Sequence, residues 1–416
     1  MIAYADLHLH GPNAGGTSKN LSIELIAKYS KLKGLNLTAS GDILNKEWLD
    51  LVKSSVVLDN GSFYHDVNGE KQHIMLQTEI ETAGRVHHIL LFPDFETVEN
   101  VRSILGKYAK LDGYMNGRPR IALPAKETFK LLANEEIIFG PAHAFTPYFS
   151  IYSHYNSLKD AYGEFLDKVS FMELGLSADS YGANNIAELK NIPFLSNSDA
   201  HSFWPHRMGR EFNKFELSHL NYKGLKDGLK FWKEKHLLNV GLNPQEGMYN
   251  RTACSSCYKI YSLKQAIQNN WKCDCGKPIK KGVSERIEEL SSPNQEYIRA
   301  KYIHTLPLAE IIQLSLKSKN VFSVQVQSLW EKFVNTIGTE IDVLLNSKDE
   351  ALLSVDENIA KYIIAFRKGF VVYKPGGGGS YGVPYITFSE SEKAEKQKEI
   401  DAEISGKSKS IQKKLF

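Results

Sequence analysis

Two histidines two residues apart, His8-Leu-His10, stand at the end of the first apolar run of the chain. Side chains of a strand alternate with period two, so both imidazoles face one side and can share one metal ion. Asp199-Ala-His201 has the same i, i+2 spacing, Gly140-Pro-Ala-His143 offers another strand-end imidazole, and Glu79 supplies a carboxylate able to bridge two cations. Imidazole with carboxylate suits Zn, Mn or Fe. More donors than one ion needs point to a multinuclear centre.

A second group of ligand-type residues has a different chemistry. All four cysteines lie within residues 254–275, as Cys254-Ser-Ser-Cys257 and Cys273-Asp-Cys275. Two short thiolate pairs 15 residues apart fit one tetrahedral zinc, because each knuckle presents two sulfurs to one ion while backbone amides face them. No histidine is close and no coordination position is left open, so this zinc is expected to be structural, holding a module too small to have a core of its own. Two disulfides would require an oxidising compartment, for which the opening MIAYADLHLH carries no targeting signal.

The elements that must position the first group are legible as short apolar runs. Candidate strands are Ala3–Leu9, Leu35–Ala39, Met75–Glu81, Arg85–Phe92, Ile137–Gly140, Phe171–Leu174 and Pro193–Ser196, separated by amphipathic stretches such as Ser22–Lys33, Glu96–Leu105 and Ala183–Lys190. This alternation predicts an α/β fold up to about Gly247. His8, His10, Asp42, Glu79, His143, Glu173, Asp199 and His201 fall at or just past the ends of such runs. In a barrel of parallel strands those ends share one face.

Composition bounds the rest. With 416 residues, 42% hydrophobic and 24% charged, the chain has the make-up of a globular protein of about three units. No run of about 18 uncharged apolar residues is present, so neither a membrane span nor a membrane partner is expected, and the location is expected to be cytoplasmic. The formal charge of +3 is uninformative, but its distribution is uneven: residues 1–250 carry 26 basic and 29 acidic side chains, residues 251–375 carry 18 and 13. Residues 251–284 have seven basic side chains against Asp274 alone, a footprint suited to phosphates or equally a solvated lysine-rich surface. Residues 284–370 read as helices, with 338–345 and 358–368 resembling two arms of a helix-hairpin-helix unit. The run Gly376–Gly379 predicts a flexible turn in preference to a phosphate cradle. Residues 389–410 predict a solvated helix or a disordered tail.

Asp6-Leu-His8-Leu-His10, Gly41-Asp42, Thr78-Glu79, Pro141-Ala-His143 and Ser198-Asp199-Ala-His201 resemble, in order and spacing, the motifs of the polymerase and histidinol phosphatase (PHP) family of metal-dependent phosphoesterases, over roughly the first 245 residues. The resemblance implies a distorted β/α barrel with two or three divalent metals (Zn, Mg or Mn) at the strand C-termini. His8, His10, Glu79 and Asp199 would hold one, Glu79 with His143 a second, and His201 with Asp42 a third. His88 in Val86-His-His-Ile-Leu is the expected further ligand, in preference to the adjacent His87.

Pro141-Ala-His-Ala-Phe-Thr-Pro147, Glu173-Leu-Gly-Leu-Ser177 and Leu195-Ser-Asn-Ser-Asp-Ala-His201, with a four-cysteine module and a helical region behind them, narrow the resemblance to the lesion-specific DNA-repair endonucleases of that family. It implies cleavage 5′ to a deaminated base (deoxyuridine, deoxyinosine, deoxyxanthosine) or an abasic site in duplex DNA, leaving 3′-hydroxyl and 5′-phosphate ends. A base in the stack hides its edge, so the nucleotide would be extruded into a pocket. Glu173, Ser177 and Asn197 would read the base edge, and Phe145 and Tyr148 would stack on it or wedge the duplex. The implied division is a PHP barrel over 1–247, a zinc module over 248–283, a mostly helical DNA-binding domain over 284–388 and a charged tail over 389–416. That tail ends Gln412-Lys-Lys-Leu415-Phe416, the start of the peptide with which such relatives bind the DNA sliding clamp. The rival is a PHP-type phosphatase acting on a small phosphate monoester.

Overall fold

Burial on both faces is what makes the barrel strands read as unbroken apolar runs rather than alternating ones. In the computed structural model, which describes residues 1–292 and 297–405, the strands β1 (Ile2–Asp6), β2 (Leu37–Asp42), β3 (Val57–Asp59), β4 (Ser62–Val67), β5 (Glu70–Thr82), β6 (Val86–Phe92) and β7 (Ile138–Pro141) follow in order. β8 (Met172–Glu173) and β9 (Phe194–Leu195) come next, and every residue of β2 and β6 is buried. β1, β2 and β5 pair in parallel, whereas β6 runs antiparallel to both β5 and β7.

The ring closes partly through irregular contacts. Ser170 N donates to Phe139 O at 2.8 Å, β8 pairs in parallel with β9, and His10 N donates to Ala200 O at 3.0 Å, which returns the chain to β1. Buried Asn213 and Asn239, on β10 (Phe212–Glu216) and β11 (His236–Gly241), fill the gap behind β9. Their amides donate to Ser196 O at 2.8 Å and Phe194 O at 3.1 Å. All seven predicted strands are staves of this barrel, but the expectation of uniformly parallel strands is corrected by β6: a tight hairpin links it to β5, and a hairpin can only join antiparallel strands.

The positioning helices follow their caps. Ile23–Lys33 begins at Ser22, whose hydroxyl accepts from Leu25 N at 3.3 Å, and ends at Gly34 in the left-handed region. Phe95–Leu105 is capped by Asp94. The helix predicted over Ala183–Lys190 is instead a short turn, Ser180–Ala183, and a 3₁₀ segment, Ala187–Leu189. Asn184 breaks it, its amide donating to Tyr297 O at 2.7 Å and its carbonyl oxygen accepting from Arg299 at 2.7 Å.

Beyond the barrel, β12 (Ala253–Cys254) and β13 (Ile279–Lys280) form the cysteine module. The boundary expected at residue 284 is not where the packing changes: Val283 and Ile287 lie in the barrel's core, and β14 (Lys301–His304) joins the barrel sheet in parallel with β11. A separate apolar core starts at Leu306 and takes in helices Leu308–Leu316, Val324–Ile337, Asp349–Val355 and Glu357–Arg367. Inside the junction Lys33 Nζ donates to Glu340 at 2.7 Å and to Pro205 O at 2.7 Å, both side chains being fully buried.

The hairpin of β15 (Val371–Lys374) and β16 (Val383–Ile386) encloses the four-glycine run. That run is a packed turn rather than a flexible one. Gly376 N donates to Gln245 O and Gly379 N to Met248 O, and a Cβ on Gly377 would lie 2.7 Å from Arg251 O. Glycine is required here because two backbones touch, and the amides of Gly376, Gly377 and Gly379 are already bonded to backbone carbonyls. Glu390–Ile404 is a helix with Ile400 as its buried residue, in keeping with a solvated surface helix. The clamp-type peptide Gln412–Phe416 lies outside the described residues. Among the described residues no helix is long and apolar enough to cross a membrane.

Candidate metal centre

His8 and His10, facing inward at the barrel mouth, are each held by a carboxylate behind the ring. His8 Nδ1 lies 3.1 Å from both oxygens of Glu173, which aims Nε2 at the centre, and that buried Nε2 has no hydrogen-bond partner. His10 Nδ1 is 3.1 Å from Asp42 Oδ2, and its Nε2 is 3.0 Å from Asp199 Oδ1. Gly41, at φ +78°, permits this: a Cβ there would sit 2.9 Å from the backbone of His10 and Gly11. Asp199 Oδ1 is also 3.6 Å from His8 Nε2, so donor atoms of His8, His10 and Asp199 converge within 4.8 Å.

A second set lies beside the first. Glu79 Oε1 is 2.9 Å from His87 Nδ1 and 3.0 Å from His143 Nε2. Its other oxygen is 3.4 Å from His10 Nε2, so Glu79 stands between the two sets. This corrects the expectation for His88. Across the β5–β6 hairpin Glu81 pairs with His87 and Ile80 with His88. Directly paired residues share a face, so His87 joins the Glu79 side and His88 the opposite one. There His88 Nδ1 meets the Tyr162 hydroxyl and Nε2 the Thr82 hydroxyl, each at 3.0 Å, and burial pushes the imidazole down to about 3. Asp42 and His201 form no third set with another donor among the described residues. Asp42 orients His10, while His201 Nδ1 is tied to Thr17 Oγ1 at 2.9 Å and its ring stacks on His10 at 4.1 Å.

The electrostatics are those of a site built for cations. Burial opposes charge on Glu79, yet His87 and Arg118 hold its carboxyl well below the usual range, and His8 and His10 do the same for half-buried Asp199. Burial likewise opposes a proton on His8, but Glu173, Asp199 and Glu79 raise it to about 9. Clustered carboxylates thus demand positive charge, and the buried Nε2 of His8 has no hydrogen-bond partner among them. Imidazole nitrogen with carboxylate oxygen is a donor set that fits Zn or Mn. His143 and Asp199 occupy left-handed backbone, at φ +29° and +48°, strain of the kind that accumulates at functional sites.

The expected base-reading residues divide. Glu173 is fully buried and accepts from His8, from His143 N and from Asn197 at 2.8 Å. Asn197 in turn accepts from Leu7 N at 3.1 Å. Both therefore brace the histidines while also lining the cavity beside them, whereas Phe145, stacked on Tyr152 inside the barrel core, does not reach that cavity. With Ser177 and Tyr148 they line a cavity of about 320 Å³ that opens onto Asp199 and His143. Tyr249, edge-on to Tyr148 at 5.4 Å, and Tyr381 complete its rim, and Lys280 lies 5.6 Å over the Tyr148 ring. Tyr249, Tyr381 and Arg118 went unnoticed in the sequence, and His87 was placed second to His88. The hairpin register marked His87, but no local pattern marked the others.

In the cysteine module all four sulfurs lie within 4.8 Å of one another. Tyr261 donates its hydroxyl to Cys273 Sγ at 3.1 Å, which with backbone amides pulls that thiol down to about 6. The apolar cluster beneath, Tyr261, Ala266 and Ile279 with the two buried cysteines, is too small to fold a module unaided. Of the seven basic residues here, Arg251, Lys259 and Lys281 are paired with Glu285, Asp274 and Glu289.

Comparison with known proteins agrees with this layout. Residues 307–370 match the family described as MJ0043 C-terminal domain. The uncharacterized protein MJ0043 of Methanocaldococcus jannaschii is 44% identical over 254 residues, 59% of this chain, which spans about a third (32%) of that relative's length. The crystal structure of the lesion-specific endonuclease PfuEndoQ from Pyrococcus furiosus is 42% identical with a TM-score of 0.86, covering 93% of this chain and 96% of that one. A complex of endonuclease Q with a 27-mer duplex carrying an abasic lesion at the active site has the same identity and TM-score, covering 93% and 97%. The chain belongs to the endonuclease Q family.

Proposed function

We propose that the protein is a metal-dependent DNA-repair endonuclease that hydrolyses the phosphodiester 5′ to an abasic site or a deaminated base (deoxyuridine, deoxyinosine, deoxyxanthosine), leaving 3′-hydroxyl and 5′-phosphate ends. The supporting observation is the adjacency of two convergent donor sets, His8/His10/Asp199 and Glu79/His87/His143, to a tyrosine-rimmed cavity. It occurs in a chain 42% identical to a lesion-specific endonuclease.

In the reaction a water oxygen bonds to phosphorus, the P–O3′ bond breaks, and the electron pair leaves on O3′, which takes up a proton. Zn, Mg or Mn ions bound to such donors supply charge neutralisation at the phosphate and a water acidic enough to attack at neutral pH. The chain's own contribution is orientation. Glu173 and Asp42 fix which nitrogen of His8 and His10 faces the centre, since a carboxylate behind an imidazole sets its tautomer and basicity. At about 320 Å³ the cavity is at the small end of the ~300–1,000 Å³ range of ligand pockets, suited to one extruded nucleotide, with Ser177 and Tyr148 facing it. The four cysteines hold one structural zinc, and the module brings Lys280 to the rim.

The test is a strand-labelled duplex carrying one deoxyuridine or abasic site, incubated with Mg²⁺, Mn²⁺ or Zn²⁺ beside an intact duplex. A single metal-dependent nick 5′ to the lesion is expected, and Asp199→Asn should retain lesion binding while losing cleavage. No nick under conditions where a small phosphate ester is hydrolysed would replace the proposal by a monoester phosphatase. A clamp pull-down comparing the full chain with residues 1–405 tests the contact expected of Gln412–Phe416.

A further inference from the structure

Arg118 belongs to none of the motifs that marked the other site residues, yet its Nη1 donates to Glu79 Oε2 at 3.0 Å. The segment that carries it is anchored on both sides. Gly117 N donates to Asn13 O at 3.0 Å, and a Cβ on Gly117 would lie 2.6 Å from Ala14 N. Glu81 N donates to Pro119 O at 2.9 Å and Ile121 N to Glu81 O at 2.7 Å. The backbone therefore delivers the guanidinium to the barrel mouth in one place.

A guanidinium has five N–H donors, and Glu79 is the partner of this one among the described residues. Glu79 is fully buried, whereas the Arg118 side chain is 29% exposed and lines the tyrosine-rimmed cavity together with His143 and Asp199. The remaining donors thus open to the space where a nucleotide's phosphate must lie if its base enters the cavity. A planar fork of donors matches the paired oxygens of a phosphate.

We propose that Arg118 is a catalytic residue that binds a non-bridging oxygen of the scissile phosphate and offsets the charge that grows on it during hydrolysis; this rests on the endonuclease assignment above. The competing role is purely supportive, with Arg118 acting through Glu79 to keep the donor sets intact. The two differ in what they do to metal content.

Arg118→Ala and Arg118→Lys, each loaded with Mn²⁺, are compared with the wild type for bound metal by elemental analysis, for affinity toward inorganic phosphate by calorimetry, and for single-turnover nicking of an abasic duplex. Removing one preorganised donor typically costs about 10²–10³ in rate. Expected are unchanged metal content in both variants, phosphate affinity at least ~10-fold lower for Arg118→Ala, nicking ~10²-fold slower, and recovery with added guanidinium, Arg118→Lys falling between. Loss of metal in parallel with nicking, or phosphate affinity equal to the wild type, overturns the proposal. A wild-type protein that does not nick the lesion overturns the endonuclease assignment instead, and the phosphate arm still decides the role of Arg118.

Discussion

Glu173 accepts from His8 Nδ1 with both carboxylate oxygens at 3.1 Å and from the backbone amide of His143 at 2.8 Å, so one buried carboxylate sets the position of a residue in each donor set. Glu173→Gln keeps the volume but removes the charge and one acceptor. Loss of a carboxylate behind a ligating histidine typically costs about 10–100-fold in metal affinity or activity. Both should fall within that range, as read by metal titration and by nicking of an abasic duplex.

His87 and His88 make a paired test. His87→Ala removes a donor that faces Glu79 and should lower bound metal by about one equivalent and nicking by at least ~10²-fold. His88→Leu strands the Tyr162 hydroxyl in the core, while the Thr82 hydroxyl keeps Val86 O, costing about 1–3 kcal/mol of stability with metal content unchanged. Elemental analysis and thermal melts read the two effects separately. The opposite pattern would restore His88 as the ligand.

The buried pair Lys33–Glu340 fastens the barrel helix to the helical region, and Glu340 also accepts from Leu308 N and from Trp330 Nε1 at 2.6 Å. Lys33→Met leaves a buried carboxylate without its cation and should destabilise by about 3–5 kcal/mol. Adding Glu340→Gln should recover part of that loss, because the stranded charge is gone. A double-mutant cycle in urea measures the coupling.

Glu246 gives a pH signature away from the metal centre. Burial, with Glu310 adding to it, raises its carboxyl from 4.5 to about 8. Between those values the unfolded chain has ionised and the folded one has not, so stability falls as pH rises through the window and levels off above about 8. The effect is of the order of a few kcal/mol. Glu246→Gln should lack this slope, so its melting temperature should gain on the wild type steadily between about pH 5 and 8. Parallel pH profiles would show that Glu246 does not carry it.

The amino-acid sequence alone determined whatever depends on near neighbours. Cys254, Cys257, Cys273 and Cys275 converge as their spacing requires, since two knuckles and one short hairpin suffice to bring four sulfurs together. The apolar runs became the staves of the barrel, and His8, His10, Glu79, His143 and Asp199 meet because strand ends share a face.

Tertiary structure decided what depends on strand direction and on long-range packing. The reversed β6 places His87 at the barrel mouth from the start of an apolar run rather than its end, so a rule based on run ends finds neither His87 nor His88, and the pairing with β5 decides between them. Glu173 and Asn197 have the composition of ligand-reading residues, and only their distances to His8 and Leu7 show them engaged with the scaffold. Arg118, Tyr249 and Tyr381 come from segments with no pattern of their own, carried to the cavity by the close approach of Gly117 to Ala14 and of the glycine run to residues 245–251. Backbone contacts of that kind join residues more than a hundred positions apart, and no local spacing encodes them.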